Sequence, residues 1–544
     1  MSYHAAICHA SGRIFRYSQS MNQAFQGGAT VRAALLMTGS TYVTYVLTLL
    51  ISALIARAIG PDDFGRYSYL VWLAGTLAMV ANNGLNTTGI RFISECLGRG
   101  AVESAHQVHA WLIRRQWACM AGVTIVFIIV MPFFKPAGWE GDITTFAGLA
   151  LVVMFTKGFY LFDISMAKGY GRFGIEAATT VIMSVVNLLI TVALVLTGAP
   201  LIWFIGLFAL VSGGHMASST VMLRRAKLIP MAGDIEPTIR VRVRQHLIWT
   251  VVLTGVAVLS NRSIETWLLN TLVGPAEVGY FAIAAALTRG GVDLLSSGLT
   301  TVLMPAMAHA YGAGGQRGVN MILSDSFRYF QFLGFLLAGS GTLLAPVVVM
   351  LMYGPRYEPV VDVLRVMVVI GGLALSEGAF GAVLSTTDNQ RLRAGFAIFS
   401  VSISAAAAFL LIPKYGLYGA ILAHAISRTI VFVATMLGIS RFMALQLPLR
   451  EIGRLTMSAL TAAVLAGGVS LAWPAWWVNL IASVLYAIVF VACTIVLRAW
   501  KSKDVWQLAR LTARFPRLSV GVQARIERWA ATLQDDEDKV ENAS

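Results

Sequence analysis

The chain has 544 residues, of which 57% are hydrophobic and only 12% charged, and its formal net charge is +15. A soluble globular protein carries about 25% charged residues, so the composition excludes an ordinary water-soluble domain. Apolar runs of about 20 residues recur along nearly the whole length and predict a polytopic membrane protein.

In chain order, residues 1–32 are polar and basic (Arg13, Arg16, Arg32) and lack the apolar core of a cleavable signal peptide. Candidate spans follow at 33–56, 67–90, 116–134, 144–163, 175–197, 201–222, 247–272, 278–304, 329–353, 360–384, 394–412, 417–439, 453–472 and 475–497. Together they make about fourteen transmembrane helices in an all-α protein. The tail, 498–544, opens with basic and aromatic residues, sets Trp506, Arg510 and Arg514 at helical spacing, and ends in DDEDKVENAS. It reads either as an interfacial helix with a disordered end or as a solvated topology anchor.

The positive charge is unevenly distributed. With the N-terminus inside, the inner loops hold Arg91, Arg99, Arg114, Arg115, Lys168, Arg172, Arg224, Arg225, Lys227, Arg240, Arg242, Arg244, Arg317, Arg328, Arg391, Arg393, Arg441, Arg450 and Arg454. The outer loops and their edges hold Arg57, Arg66, Lys135, Arg356 and Lys414. This positive-inside bias places both termini in the cytoplasm. The basic excess then reflects topology and contact with anionic membrane lipid, and no nucleic-acid partner is expected.

One segment occurs twice. LIARAIGPDDFGRYSYL begins at Leu54, and LLNTLVGPAEVGYFAI begins at Leu268. At a constant offset Gly60, Pro61, Gly65, Gly84, Leu85, Thr87, Gly98 and Gly100 coincide with Gly274, Pro275, Gly279, Gly298, Leu299, Thr301, Gly312 and Gly314. Such a repeat predicts two fused halves, and an even number of spans between the copies makes the halves parallel. The organisation expected is a cytoplasmic segment 1–32, an N-lobe 33–222, a cytoplasmic linker 223–246, a C-lobe 247–440, two further helices in 441–497, and the cytoplasmic tail 498–544.

Gly169-Tyr170-Gly171-Arg172-Phe173-Gly174 matches GxGxxG, but it follows a membrane span rather than a strand, so a tight turn between helices is expected instead of a dinucleotide site. No Walker loop, HExxH or GxSxG is present. Cys8, Cys96, Cys119 and Cys493 have no paired spacing, so neither a metal site nor a disulfide framework is expected, and no cofactor is implied.

The informative chemistry is charge inside the spans. Lys157, Arg262, Arg289 and Arg428 lie well within helices and Arg365 in the outer part of one. A cation at the bilayer centre costs roughly 2.5–3.5 kcal/mol on insertion scales, so each should face a wet cavity or a partner. Arg262 with Glu265, Arg289 with Asp293, and His424 with Arg428 share helix faces. Internal pairing is therefore open for the first two, whereas Lys157 and Arg428 have no acidic neighbour at helical spacing. Arg365 either pairs with Asp362 or snorkels. Arg289 also stands where the first repeat copy has Gly75. The cationic bias favours an anionic substrate, with Lys157, Arg262, Arg289, Arg428, Arg365 and His424 as the substrate-binding candidates. Glu265, Asp293 and Glu377 are candidates for coupling a proton or cation.

With LIARAIGPDDFGRYSYL, NNGLNTTGIRFISECLGRG and AKGYGRFG in the first half and LVGPAEVGYFAIAAAL in the second, the chain resembles bacterial polysaccharide (oligosaccharide) flippases of the multidrug/oligosaccharidyl-lipid/polysaccharide exporter superfamily. The resemblance covers about residues 33–440. It implies a V-shaped two-lobed transporter with a cationic central cavity. It also implies translocation of undecaprenyl-pyrophosphate-linked oligosaccharide units across the inner membrane for O-antigen, capsule or exopolysaccharide synthesis, in company with polymerase and export machinery. A lipid II flippase is the alternative within the superfamily, but those proteins place essential arginines within the first two helices, where this chain has only Arg57 and Arg66 at the outer ends. A cation-coupled multidrug exporter would want acidic rather than basic cavities. A membrane polysaccharide polymerase would want a large outer loop, and none here could hold a domain of about 50 residues. No enzymatic activity is expected.

Overall fold

The computed structural model describes residues 27–506, apart from 135, 232, 234, 261–262, 387–389, 443–447, 474 and 503, together with residue 528. Arg262, Cys8, most of the N-terminal segment, Arg510, Arg514 and the acidic end lie outside the described residues.

Among the described residues there is no strand, as the all-α expectation requires. The helices are α1 (Gly27–Asn82), α2 (Leu85–Gly98), α3 (Val102–Val130), α4 (Ile143–Gly169), α5 (Gly174–Leu196), α6 (Leu201–Arg225), α7 (Pro237–Ser260), α8 (Ser263–Leu272), α9 (Pro275–Met352), α10 (Val360–Ala374), α11 (Glu377–Thr386), α12 (Gln390–Phe442), α13 (Leu449–Ala472) and α14 (Val478–Val496). Ten described segments are long and apolar enough to cross a membrane.

Two of the ten hold a pair of crossings each. Met37–Asn82 has 46 residues, about 69 Å at 1.5 Å per residue, against a hydrocarbon core of about 30 Å. It is broken at Gly60 (φ 82, ψ 174). Glycine enters this left-handed region without a Cβ penalty, and Pro61 restarts the helix at a position whose N–H needs no partner. Leu392–Arg441 is broken in the same manner at Gly416 (φ 56, ψ −127). Two expected spans are instead divided. The expected 247–272 appears as the end of α7 and α8, and the expected 360–384 as α10 and α11 about a turn at Leu375 and Ser376. The expected 67–90 is also shortened, because left-handed Asn83 and Gly84 part α1 from α2. The GxGxxG stretch is a tight turn between α4 and α5, with Gly171 at φ 72.

Packing divides the chain into two interleaved units. The first holds residues up to 287 with 352–363 and 394–427. One of its cores gathers Phe92, Trp111, Leu112, Phe162, Met166 and Val243 from α2, α3, α4 and α7. The two repeat copies meet within this unit, since a Cβ on Gly65 would overlap the carbonyl of Pro275.

The second unit holds 288–351, 364–393 and residues from 428 onward. The α13 residues Ala459, Ala462 and Ala466 and the α14 residues Tyr486 and Phe490 pack with Phe332, Phe335 and Leu336 of α9. The Tyr486 hydroxyl donates to the Phe335 carbonyl at 2.9 Å. The beginning of the tail is docked rather than solvated. Asp504 accepts from Arg328 Nη2 at 2.5 Å, from the Tyr329 hydroxyl, and from the Lys501 backbone N–H at 2.9 Å. Arg328 is only 1% exposed, and its buried charge is met by Asp504 and, at 3.6 Å, by Asp325 one turn back on α9.

Candidate functional site

The first unit contains a cavity of about 510 Å³ between both halves of α1, α4, α5, α6 and the first turns of α9. Helical periodicity sets its walls. On α4, Lys157, Tyr160 and Leu161 share a face; on α5, Thr180, Ser184 and Asn187; on α6, Phe208, Val211, Ser212 and His215. The first half of α1 contributes Thr44, Thr48 and Ser52, and the second half Tyr67, Ser68 and Trp72.

Among the described residues, Lys157 is the one lysine or arginine on these walls, and no aspartate or glutamate lines them. Its Nζ lies 5.8 Å from the centroid of the Phe208 ring, and 3.6 Å from where a Cβ on Gly75 would stand. It has no carboxylate or hydrogen-bond partner among the described residues. Three further wall groups are buried without a partner: Trp72 Nε1, Thr44 Oγ1 and His215 Nδ1. The His215 ring packs on Tyr160 with centroids 4.7 Å apart. Unpartnered buried polar groups are rare and costly, so a cluster of them around one ammonium marks a place suited to water or a polar ligand. An indole N–H donates only, and an ammonium donates only, so the preferred ligand is an acceptor and an anion. The nearest acid along α4, Asp163, is already engaged, accepting from the Ser219 and Thr220 hydroxyls at 2.9 and 2.7 Å.

Of the candidates drawn from the sequence, Lys157 is the described one that lines this cavity. Glu265 is buried on α8 and His424 on α12, where its ring stands 6.4 Å from that of Phe281. Arg289 and Asp293 are exposed on α9, and Arg365 is half-buried on α10; these three belong to the second unit. Arg428 also belongs there and is paired across helices, its Nη1 3.9 Å from Glu377 Oε2. Spacing along one helix could not supply that partner. His215, Asn187, Ser184 and Trp72 were not singled out from the sequence. Their signal was present as polar residues at three- and four-residue spacing within otherwise apolar spans.

Residues 30–310 match the profile of a family described as polysaccharide biosynthesis protein. No curated protein matches the sequence. Solved structures share the fold at low identity. The lipid II flippase MurJ in an inward closed conformation is 12% identical over 85% of this chain and 99% of its own, with a TM-score of 0.66. An inward-facing multidrug resistance MATE family transporter of the MOP superfamily is 14% identical over 75% of this chain and 98% of its own, with a TM-score of 0.60. A MOP superfamily transporter from Pyrococcus furiosus is 16% identical over 75% of this chain and 95% of its own, with a TM-score of 0.53. The helical break pattern, the multi-span composition and the profile match over more than half the sequence agree, and the chain belongs to the polysaccharide biosynthesis protein family, with the fold of MurJ and MATE transporters.

Proposed function

We propose that this protein is a flippase that carries undecaprenyl-pyrophosphate-linked oligosaccharide units across the bacterial inner membrane by alternating access, with both termini in the cytoplasm. The observation that supports this most directly is the Lys157 ammonium in a cavity that also holds the unpartnered Trp72 Nε1, Thr44 Oγ1 and His215 Nδ1 and, among the described residues, no carboxylate. Such a wall suits a pyrophosphate or an acidic sugar and disfavours the cationic substrates of a drug exporter. The family description supports a role in polysaccharide synthesis. Outward movement of each negative charge gains roughly 2.3 kcal/mol per 100 mV of inside-negative potential.

On this reading the chain works as two lobes, 33–222 and 247–440, with Arg262, Arg289, Arg365, Arg428 and His424 as further substrate contacts. Glu265, Asp293 and Glu377 are the coupling candidates. Polymerase and export machinery would take up the product. Lipid II remains the competing cargo, because the MurJ fold is shared.

The test is deletion of the gene followed by analysis of lipid-linked intermediates. Accumulation of an undecaprenyl-linked oligosaccharide, reversed by the wild-type chain, is the expected result. Accumulation of lipid II, or of neither, would reject the assignment.

A further inference from the structure

In the first unit, α3 and α7 carry four exposed arginines into one neighbourhood. Val108, Trp111 and Leu112 of α3 and Ile239 and Val243 of α7 share one core. Arg114 and Arg115 follow the α3 residues, while Arg240 and Arg244 flank Val243. Arg114, Arg240 and Arg244 all lie within electrostatic reach of Arg115.

Glu95, an acid in this neighbourhood, is engaged elsewhere. Arg242, two residues from both Arg240 and Arg244 and so on another face of α7, takes Glu95 in two hydrogen bonds of 2.8 and 3.1 Å. Glu95 also holds Arg99 at 2.5 Å. Arg115 stacks its guanidinium 3.7 Å from the centroid of Trp111, and Arg114 Nε donates to the carbonyl of Ala110 within its own helix. No ion pair joins Arg114, Arg115 or Arg244 to a carboxylate among the described residues.

The level of the cluster is marked by its neighbours. Trp117 lies one turn beyond Arg114 and is 54% exposed; Ile248 and Trp249 lie just beyond Arg244 and are 56% and 69% exposed. Exposed tryptophans beside an apolar surface, with arginines on the water side, are the signature of a headgroup boundary.

We propose that Arg114, Arg115 and Arg244, with Arg240 beside them, form a site for the phosphate of an anionic membrane lipid. Planar guanidinium groups match phosphate oxygens in pairs, and the bound anion relieves the repulsion among Arg114, Arg115 and Arg244. The site is separate from the Lys157 cavity and does not depend on which cargo the protein carries. Its ligand is a lipid phosphate, carried either by a glycerophospholipid or by a polyprenyl phosphate.

The full chain, purified in neutral detergent, is titrated with phosphatidylglycerol, phosphatidylcholine, undecaprenyl phosphate and inorganic pyrophosphate, and retained lipid is read by native mass spectrometry. Anionic lipids are expected to bind in preference to phosphatidylcholine, with retention falling about fivefold for each of Arg114→Gln, Arg115→Gln and Arg244→Gln. Arg242→Gln, whose parent side chain is committed to Glu95, controls for loss of a neighbouring arginine outside the site and should retain lipid as the wild type does. A stronger response to phosphatidylglycerol or to undecaprenyl phosphate identifies the source, and either supports the site. Unchanged retention in the triple variant, or equal competition by inorganic pyrophosphate, overturns it.

Discussion

Gly65 and Gly279 hold the same position in the two copies of the repeat, and they touch. A Cβ on Gly279 would stand 3.2 Å from the Cα of Gly65 and 3.3 Å from the carbonyl oxygen of Pro61. A Cβ on Gly65 would run into the carbonyl of Pro275, the repeat partner of Pro61. The contact is therefore reciprocal, and backbone meets backbone because neither copy carries a side chain there. Gly65→Ala should lower thermal stability in detergent by about 1–3 kcal/mol, the usual cost of overpacking. Gly279→Ala meets a contact that a few tenths of an ångström relieve and should cost less. Equal melting temperatures for the two variants would contradict the asymmetry.

Replacing Lys157 with Gln removes the cavity's ammonium while keeping most of its volume. A charge-assisted hydrogen bond contributes about 1.5–3 kcal/mol, so transport of the anionic cargo should fall roughly ten- to a hundredfold. The melting temperature should hold or rise, since no protein partner is lost. Lys157→Arg should retain more activity than Lys157→Gln in an assay of polymer export.

The Glu377–Arg428 pair is only partly buried, with both side chains near 30% exposure and 3.9 Å apart. A double-mutant cycle with Glu377→Gln and Arg428→Gln should give a coupling of about 1 kcal/mol or less. A value of several kcal/mol would mean a structural clamp and remove Arg428 from the substrate-binding candidates.

Asp504 is the opposite case. Removing it leaves buried Arg328 with only the longer pair to Asp325, so Asp504→Ala should cost up to about 3–5 kcal/mol. Truncation of the chain before Lys501 should reproduce that loss. If the truncated protein melts as the full chain does, the dock is not stabilising.

Glu95 lies on α2, outside the spans, and the hydrogen bonds from Arg242 hold its carboxyl below the usual carboxylate range. A depressed carboxyl means that the unfolded chain binds the proton more readily. The stability it contributes is then present above the ordinary carboxylate pKa of about 4.3 and is lost as pH falls through the folded value. Melting curves of wild type and Arg242→Gln should accordingly converge in acid and separate toward neutrality.

Much of this architecture is written in local chemistry. Gly60-Pro61 announces a break because glycine admits a left-handed backbone and proline fixes φ and lacks an N–H. Lys157 stands out because a lone cation in an apolar span needs a reason. What stays illegible depends on distant residues. The partner of Arg428 comes from another helix, and the nearer of the two partners of Arg328 comes from the tail, 176 positions away. The cavity wall was missed for a related reason. Thr180, Ser184 and Asn187 line one face of α5, but a single helix does not reveal which face its neighbours leave open.

The Arg328–Asp504 bond also sets a timetable. The two residues are 176 positions apart. At about 5–20 residues per second, the arginine leaves the ribosome roughly 10–35 s before its carboxylate exists. During that interval only Asp325, one turn back on the same helix and 3.6 Å away, offsets the charge of Arg328. The full pairing of Arg328 thus waits until residues 501–504 have been synthesised, so α9 is made long before the shorter of its two ion pairs at Arg328 can form.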